Sequence, residues 1–367
     1  MGKFKKVFRG LEDPRAPNAQ HDFLEVLFIA LAAILCGADG PSDMERFGKS
    51  KEGLLRRILR LEHGVPSHDT FGRVLGALDP RKFEHVFSRF MAGFAKFNKI
   101  KLTGIVAVDG KALRGAYDRG CETTPLQMVS VWAAKARMSL ASRQAPGRNE
   151  AAGAVEVLQS LCLKHCTITA DALHCNRAFA ATVLEQGGDY VLALKQNQSK
   201  LYDAVARRFA RGGTRSIAEL REPSTHDRSE TRRATVIRDR QIGEDNTFPG
   251  VAAIGRITSR RRCQGKRADP PAVRYFLLSK YVSATRLLEI VRTHWSIENQ
   301  LHWILDVVFD EDACRVRKGN APENLATLRR IAANLVRSHP AKISMRQKLK
   351  TAAWNDAFLL ELLSHMR

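Results

Sequence analysis

No stretch of the sequence is apolar for long enough to cross a bilayer. The longest such run, Phe23 to Cys36, carries Glu25 and has about fourteen residues, where a spanning helix needs roughly 20; a buried helix is expected there and a membrane partner is not. Acids are also scarce. Against 60 Lys and Arg stand 38 Asp and Glu, a formal net charge of +22, so basic partners are disfavoured and polyanions favoured, nucleic acid first. The charge is spread along the chain and is not gathered into a tail or one amphipathic helix, which sets a membrane-surface role aside. The 7 cysteines are odd in number and lack a regular framework, which excludes a disulfide scaffold and points to reduced thiols in the bacterial cytoplasm. No small-residue cleavage site follows the opening residues, so a secretory leader is not expected. Internal repeats and low-complexity tracts are absent too, which removes solenoids and linker-rich chains.

What is present divides by texture. A length of 367 residues favours two or three domains. The first hundred residues read as helical: Asp22 with Glu25 suggests a capping box ahead of the apolar run, Gly37 a stop, and Ser42 with Glu45 a second start. LLRRILRLEHG (54–64) and SHDTFGRVLGAL (67–78) flank the turn at Val65 and Pro66 and resemble a helix-turn-helix, with Arg73 a candidate DNA contact. From Gly104 strands take over, at 105–109, 126–134 and 139–145. A helix at 149–164, a strand at 167–171, a helix at 176–186, a strand at 189–195 and a helix from Ser199 follow. This order is that of a ribonuclease H-like α/β fold, whose parallel first and fourth strands would set Asp109 beside Asp171.

Residues 212–282 read as an all-β insertion, with β-like runs at 232–238, 251–259 and 272–279 and a basic loop at 260–267 holding Arg260, Arg261 and Arg262. A long helix is expected from a Ser283 cap to about Val308, then a final helix pair. The expected organisation is a helical, DNA-binding 1–98, a first part of the mixed-sheet core at 99–211, the insertion at 212–282, and a helical completion of the core at 283–367.

Carboxylates on a sheet and a facing helix are what two-metal phosphoryl chemistry requires, because Mg2+ takes hard oxygen ligands and keeps open positions for water and phosphate. Asp109 and Asp171 supply two. Glu298, on the long helix beside His294, Trp295 and Asn299, is a candidate third; on spacing alone it reads equally well as a solvated residue paired with Arg286 or Arg292. His302 and Asp306 lie on roughly the same helical face. The run Asp310, Glu311, Asp312 could replace Glu298, but reads better as a solvated turn paired with local bases. Cys162, His165, Cys166, His174 and Cys175 match no zinc module, and the cysteines among them are expected to be buried and to pack as small apolar groups. Trp132, Trp295 and Trp303 are expected in the core and not stacked on bases.

Five ordered segments carry a resemblance spanning nearly the whole chain: LAAILCGADG (31–40) with GVPSHDTFGRVL (64–75), VDGKALRGA (108–116), TADALHCNRAFA (169–180), GGDYVLALKQNQ (187–198) and the stretch from His294 to Leu335. Together they resemble the H-repeat-associated, ISAs-type branch of the DDE insertion-sequence transposases. The resemblance implies a ribonuclease H-like core in which Asp109, Asp171 and Glu298 are catalytic and bind two Mg2+ ions, with Mn2+ able to substitute. It also implies a β-rich insertion around 212–282. A Tyr, Arg, Glu, Lys signature known in related transposases is not kept, since Val291, His294 and Leu305 stand where its Tyr, Arg and Lys would fall. Lys111, Arg114 and Arg292, with His294, are the substitutes expected at the terminal phosphate.

The function so implied is metal-dependent cleavage and strand transfer of DNA at insertion-sequence ends. The partners are double-stranded DNA, as terminal inverted repeats and as target, and a second copy of the chain. Two other readings fit the same basic balance: a decayed or domesticated DNA-binding protein, and a stand-alone nuclease.

Overall fold

The computed structural model describes residues 2–97, 103–116, 125–225, 228–263 and 270–365. Six helices open the chain: α1 (Gly2–Phe8), α2 (Phe23–Leu35), α3 (Pro41–Ser50), α4 (Glu52–Leu55), α5 (His68–Ala77) and α6 (Pro80–Phe97). The apolar run forms α2, which is buried almost all round; the Asp22 side chain accepts the N–H of Glu25 at 2.9 Å, and Gly37 leaves the helix at φ +90. No described helix is long and apolar enough to cross a membrane.

The expected capping box does not close. Glu25 turns inward, only 6% exposed, and accepts the N–H groups of Arg60 at 2.8 Å and Leu61 at 3.1 Å. That inward carboxylate also explains a second departure: the helix expected over 54–64 stops after α4. Leu61 is then held at φ +46 and, with Leu55 and Leu59, reaches the core. The helix-turn-helix reading is thereby corrected, because its first half is largely irregular. Its second half, α5, is capped by Ser67 and packs on α3, which itself starts at Pro41 and not from a Ser42 cap.

The strands are β1 (Gly104–Leu113), β2 (Leu126–Ala133), β3 (Met138–Gln144), β4 (Cys166–Ala170), β5 (Asp189–Leu194), β6 (Ser216–Thr225), β7 (Arg228–Arg238), β8 (Ala253–Cys263) and β9 (Ala272–Leu278). They form a single mixed sheet in the order β3-β2-β1-β4-β5-β9-β8-β7-β6. An antiparallel β1-β2-β3 meander extended by parallel β4 and β5 is the ribonuclease H-like arrangement. The β-rich segment continues that sheet, since β9 pairs antiparallel with β5 from Val191↔Leu278 to Leu194↔Tyr275. Within it β6 escaped the sequence reading, because SIAELREPST offers little apolar alternation.

Helices cover both faces. On one lie α7 (Glu150–Gln159), α8 (Arg177–Glu185) and α9 (Ser199–Arg211), packed on Val106, Val108 and Ile168; the short α10 (Gln241–Asp245) adds Ile242. On the other lie α11 (Ala284–His294), α12 (Trp303–Val307) and α13 (Ala321–Ser338), followed by α14 (Met345–Trp354) and α15 (Asp356–Ser364). Three closing helices thus stand where a pair was expected. α13 is buried from Ala321 to Val336, and it shares one core with α2, α5 and α6 through residues such as Ile29, Phe71, Phe87, Leu325 and Leu335.

The expected continuous helix over 283–308 is also modified. Ser283 does cap α11, accepting the N–H of Arg286 at 3.2 Å. Beyond Trp295, however, Glu298–His302 forms a π-helical turn before α12, a deformation that inserts a residue into the ladder and re-aims nearby side chains.

A buried ion network ties these layers together. Lys111 on β1 lies 2.7 Å from Asp306 of α12, 2.7 Å from Asp312 and 3.4 Å from Glu311. Arg330 of α13, with a fully buried side chain, lies 2.9 Å from Glu311. The acidic run is therefore no solvated turn; its bases come from β1 and α13. Arg330→Met should take from the buried Glu311 carboxylate the nearer of its two bases and cost about 3–5 kcal/mol, read from urea denaturation. Unchanged stability would show that the network contributes nothing net.

Candidate metal centre

β1 and β4 pair in parallel up to Val108↔Ala170, where β4 ends, while β1 runs on beside β2 with Asp109 opposite Ser130. The edge of β1 that faced β4 is thus opened at Asp109. Asp171, one step past β4, caps the turn that follows by accepting the N–H of Leu173 at 2.9 Å. From the α11 side the π-helical turn delivers Glu298 and His302. Oxygens of Asp109 and Glu298 and a ring nitrogen of His302 all lie within 4.8 Å of one another. His302 Nδ1 is 3.2 Å from Glu298 and 3.7 Å from Asp109. On spacing alone Glu298 was divided between solvent and the acids, and the fold turns it toward Asp109.

Crowding of like charges governs the electrostatics. Burial, then hydrogen bonding and repulsion from Glu298, then repulsion from Asp171 and Glu150, push Asp109 up to about 8. Glu298 is held down at about 2, chiefly by its hydrogen bond with His302. Nearby, burial lowers His294 to about 4, and its Nδ1 lies 3.0 Å from the Thr169 hydroxyl. The pair Asp109 and Glu298 therefore favours sharing a proton when no cation relieves its repulsion.

The donor set suits a divalent cation: hard carboxylate oxygens converge at an opened strand edge, with an imidazole alongside. A further mark is the His302 Nε2 atom, buried without a hydrogen-bond partner. His302 was noted in the sequence only as a face neighbour; its four-residue spacing from Glu298 was the available signal.

Several other expected site residues are placed differently. Lys111 is 8% exposed and enclosed by three carboxylates, so its charge is engaged in the fold and the terminal-phosphate reading is corrected. His294 packs inward and favours the neutral form, which removes it as a phosphate cation. Arg114 is open to solvent, 3.7 Å from Asp312. Arg292 and Arg261 line a cavity of about 480 Å3 with Arg232, Arg274, Trp295 and Asn299. Arg260 is exposed on β8, whose pairing runs on through Cys263, so 260–263 are strand and not loop; the Arg262 side chain and residues 264–267 fall outside the described residues. Arg73 is exposed on α5, far in sequence from the acids, and lines a cavity with Arg15 and Lys318.

Trp132 is fully buried, but Trp295 and Trp303 are 49% and 54% exposed; they occupy the outer side of the helix whose inner side is taken by Ile297, Leu301 and Leu305. Cys166 and Cys175 pack in the core as small apolar groups, whereas Cys162, expected there too, is exposed.

Comparison with known proteins gives the same direction. Residues 101–335 match the family described as Transposase DDE domain, and residues 5–91 match its companion region, DDE_Tnp_1-associated. The chain is 30% identical over 359 residues to "Putative transposase YncI" of Escherichia coli O157:H7, covering 95% of this chain and 90% of that protein. It is 29% identical over 362 residues to "H repeat-associated putative transposase YhhI" of Escherichia coli K12, covering 95% and 93%. A piggyBac transposase synaptic complex with hairpin DNA is a distant likeness, at 13% identity and TM-score 0.45 over 100% of this chain and 80% of that one.

The raised Asp109 value has a definite sign. Its ordinary value is 3.8 and its folded value about 8, so the cation-free folded state binds this proton more tightly than the unfolded state in that window, and stability falls as pH rises through it. Asp109→Asn should remove the loss. In chelator, the variant's urea midpoint should gain on that of the wild type between about pH 5 and about pH 9; a constant difference across that range would count against the crowding.

Proposed function

The chain belongs to the Transposase DDE domain family, and on that premise we propose that it is a divalent-cation-dependent DNA transposase that cuts DNA at insertion-sequence ends and joins the freed 3′ ends to target DNA. The observation that carries this reading is the convergence of Glu298 on Asp109 across a π-helical turn, next to the strand end that bears Asp171.

Asp109, Asp171 and Glu298 are the catalytic residues and hold two Mg2+ ions, or Mn2+ in their place. Cations held there would supply Lewis acidity for activating a water or a DNA 3′-hydroxyl and for stabilising the departing oxygen. The chain's own groups position. His302 fixes the Glu298 carboxylate through its 3.2 Å contact, and the Asp171 carboxylate is oriented by the N–H of Leu173. The edge of β1 left unpaired by β4 beyond Val108 is the proposed seat of the phosphodiester beside Asp109.

The partner is double-stranded DNA, first the terminal inverted repeats and then the target, with two copies of the chain holding two element ends. A formal net charge of +22 supports a polyanionic partner. Arg114, Arg260, Arg261 and Arg292 are proposed to hold the strand near the acids, and Arg73 to contact the flanking duplex from the helical region 1–98. Residues 99–211 and 283–367 form the catalytic core, and 212–282 its β-rich basic insertion. Retention of all the acids supports this reading over that of a decayed DNA-binding protein.

Glu298→Gln should lower cation-dependent nicking of a terminal-repeat duplex by about a thousandfold or more, while duplex affinity in EDTA stays within about threefold. Nicking at the wild-type rate would remove Glu298 from the catalytic set. Wild-type protein that nicks without forming a strand-transfer product would instead indicate a nuclease.

A further inference from the structure

Glu150 has no part in the triad, yet it faces the same opened edge of β1. It stands in the first turn of α7, after the Asn149 cap, whose side chain accepts the N–H of Ala152 at 3.2 Å. Its carboxylate occupies the space beside the Cα of Gly110, the residue after Asp109: a Cβ added at Gly110 would collide with all three carboxylate atoms. It is near enough to Asp109 to contribute to raising its pKa. Glu298 reaches the strand from the α11 side and Glu150 from the α7 side. The two can serve one centre because β4 ends at Ala170 and leaves that edge of β1 unpaired beyond Val108.

A second observation marks Glu150 as more than a helix-start acid. An acid in the first turn is ordinary, being favoured by the helix dipole, but solvent is its usual setting. The Glu150 carboxylate has a side-chain exposure of 20%, and its Oε1 lies 3.0 Å from Nε2 of His174, whose side chain is fully buried. His174 ends the turn that Asp171 begins, so one imidazole links Glu150 to the Asp171 loop. Both His174 ring nitrogens are buried without a hydrogen-bond partner, Nε2 touching the Glu150 carboxylate off the line of a hydrogen bond. A buried imidazole adjoining a carboxylate is the arrangement that orients ligands around metal ions.

We propose that Glu150 is a fourth carboxylate ligand of the divalent-cation centre, held in place by His174, and that Gly110 is glycine so that this carboxylate can approach Asp109. The inference rests on the metal-dependent reading above and adds a residue to it. Two divalent cations carry four positive charges; Asp109, Asp171 and Glu298 offset three, and Glu150 offsets the fourth. Gly110→Ala should displace the carboxylate without altering any ligand's chemistry.

Mn2+ binding to the full-length protein, followed by electron paramagnetic resonance and titration calorimetry, tests the assignment without reference to activity. Glu150→Gln should lose one of two binding events or weaken it about tenfold to a hundredfold, and its melting temperature in EDTA should be no lower than wild type, because a repelling charge is gone. Glu150→Asp, with the carboxylate shortened, should fall between the two and serves if the Gln variant folds poorly. Asp109→Asn is the reference arm. If Asp109→Asn loses Mn2+ while Glu150→Gln binds with wild-type stoichiometry and affinity, the fourth-ligand assignment is overturned and the triad stands. If the wild type binds no Mn2+, both fall.

Discussion

Mutual repulsion among carboxylates gathered at one strand edge is the constraint on which the remaining architecture depends. Asp109, Glu298, Asp171 and Glu150 are brought near one another, and Asp109 responds by favouring its protonated form up to about pH 8. Left to itself such a cluster would spread. It persists because each acid sits on an element anchored elsewhere by apolar burial: β1 and β4 by the central sheet, α7 by the core on one face, and α11 with its π-helical turn by the core on the other. Stability given up at the centre is offset in the layers around it, the usual relation between a functional site and its scaffold.

The ion network around Lys111 is part of that anchoring. Lys111 is two residues beyond Asp109 on the same face of β1, and Asp306 is eight residues beyond Glu298 on the same helical segment. The bridge therefore pins strand to helix just past the acids, while Arg330 extends it to Glu311 and, at 3.3 Å, to the hydroxyl of Ser130, the residue paired with Asp109. A basic residue near the acids thus contributes by being neutralised inside the fold. Arg114, Arg260, Arg261 and Arg292 differ from it in being exposed.

Much of the core was legible in the sequence because its signals are local. Ser283 caps α11 as expected, the helices expected from 149 and 176 start there behind Asn149 and Asn176, and the buried strands read as short apolar runs. The parallel pairing of β1 with β4 followed from element order, and with it the placing of Asp109 and Asp171 at neighbouring strand ends. What escaped was set by tertiary contacts. Glu25 looked like a capping acid and instead holds the backbone at 60–61, which cancels a helix that periodicity favoured. Lys111 looked like a phosphate ligand because its three carboxylate partners lie about two hundred residues away. The exposure of Trp295 and Trp303 and the approach of Glu150 to Gly110 likewise depend on which faces of helices meet the sheet, and that is not written in any one segment.

The most direct measurement is a crystal structure of the full-length protein grown with Mn2+ and examined by anomalous scattering. Mn2+ peaks within direct coordination distance, about 2.2 Å, of carboxylate oxygens from Asp109, Asp171 and Glu298 are the expected result. Ordered Mn2+ elsewhere, with Glu298 turned to solvent and the strand edge at Asp109 holding only water, would contradict a metal centre at this edge.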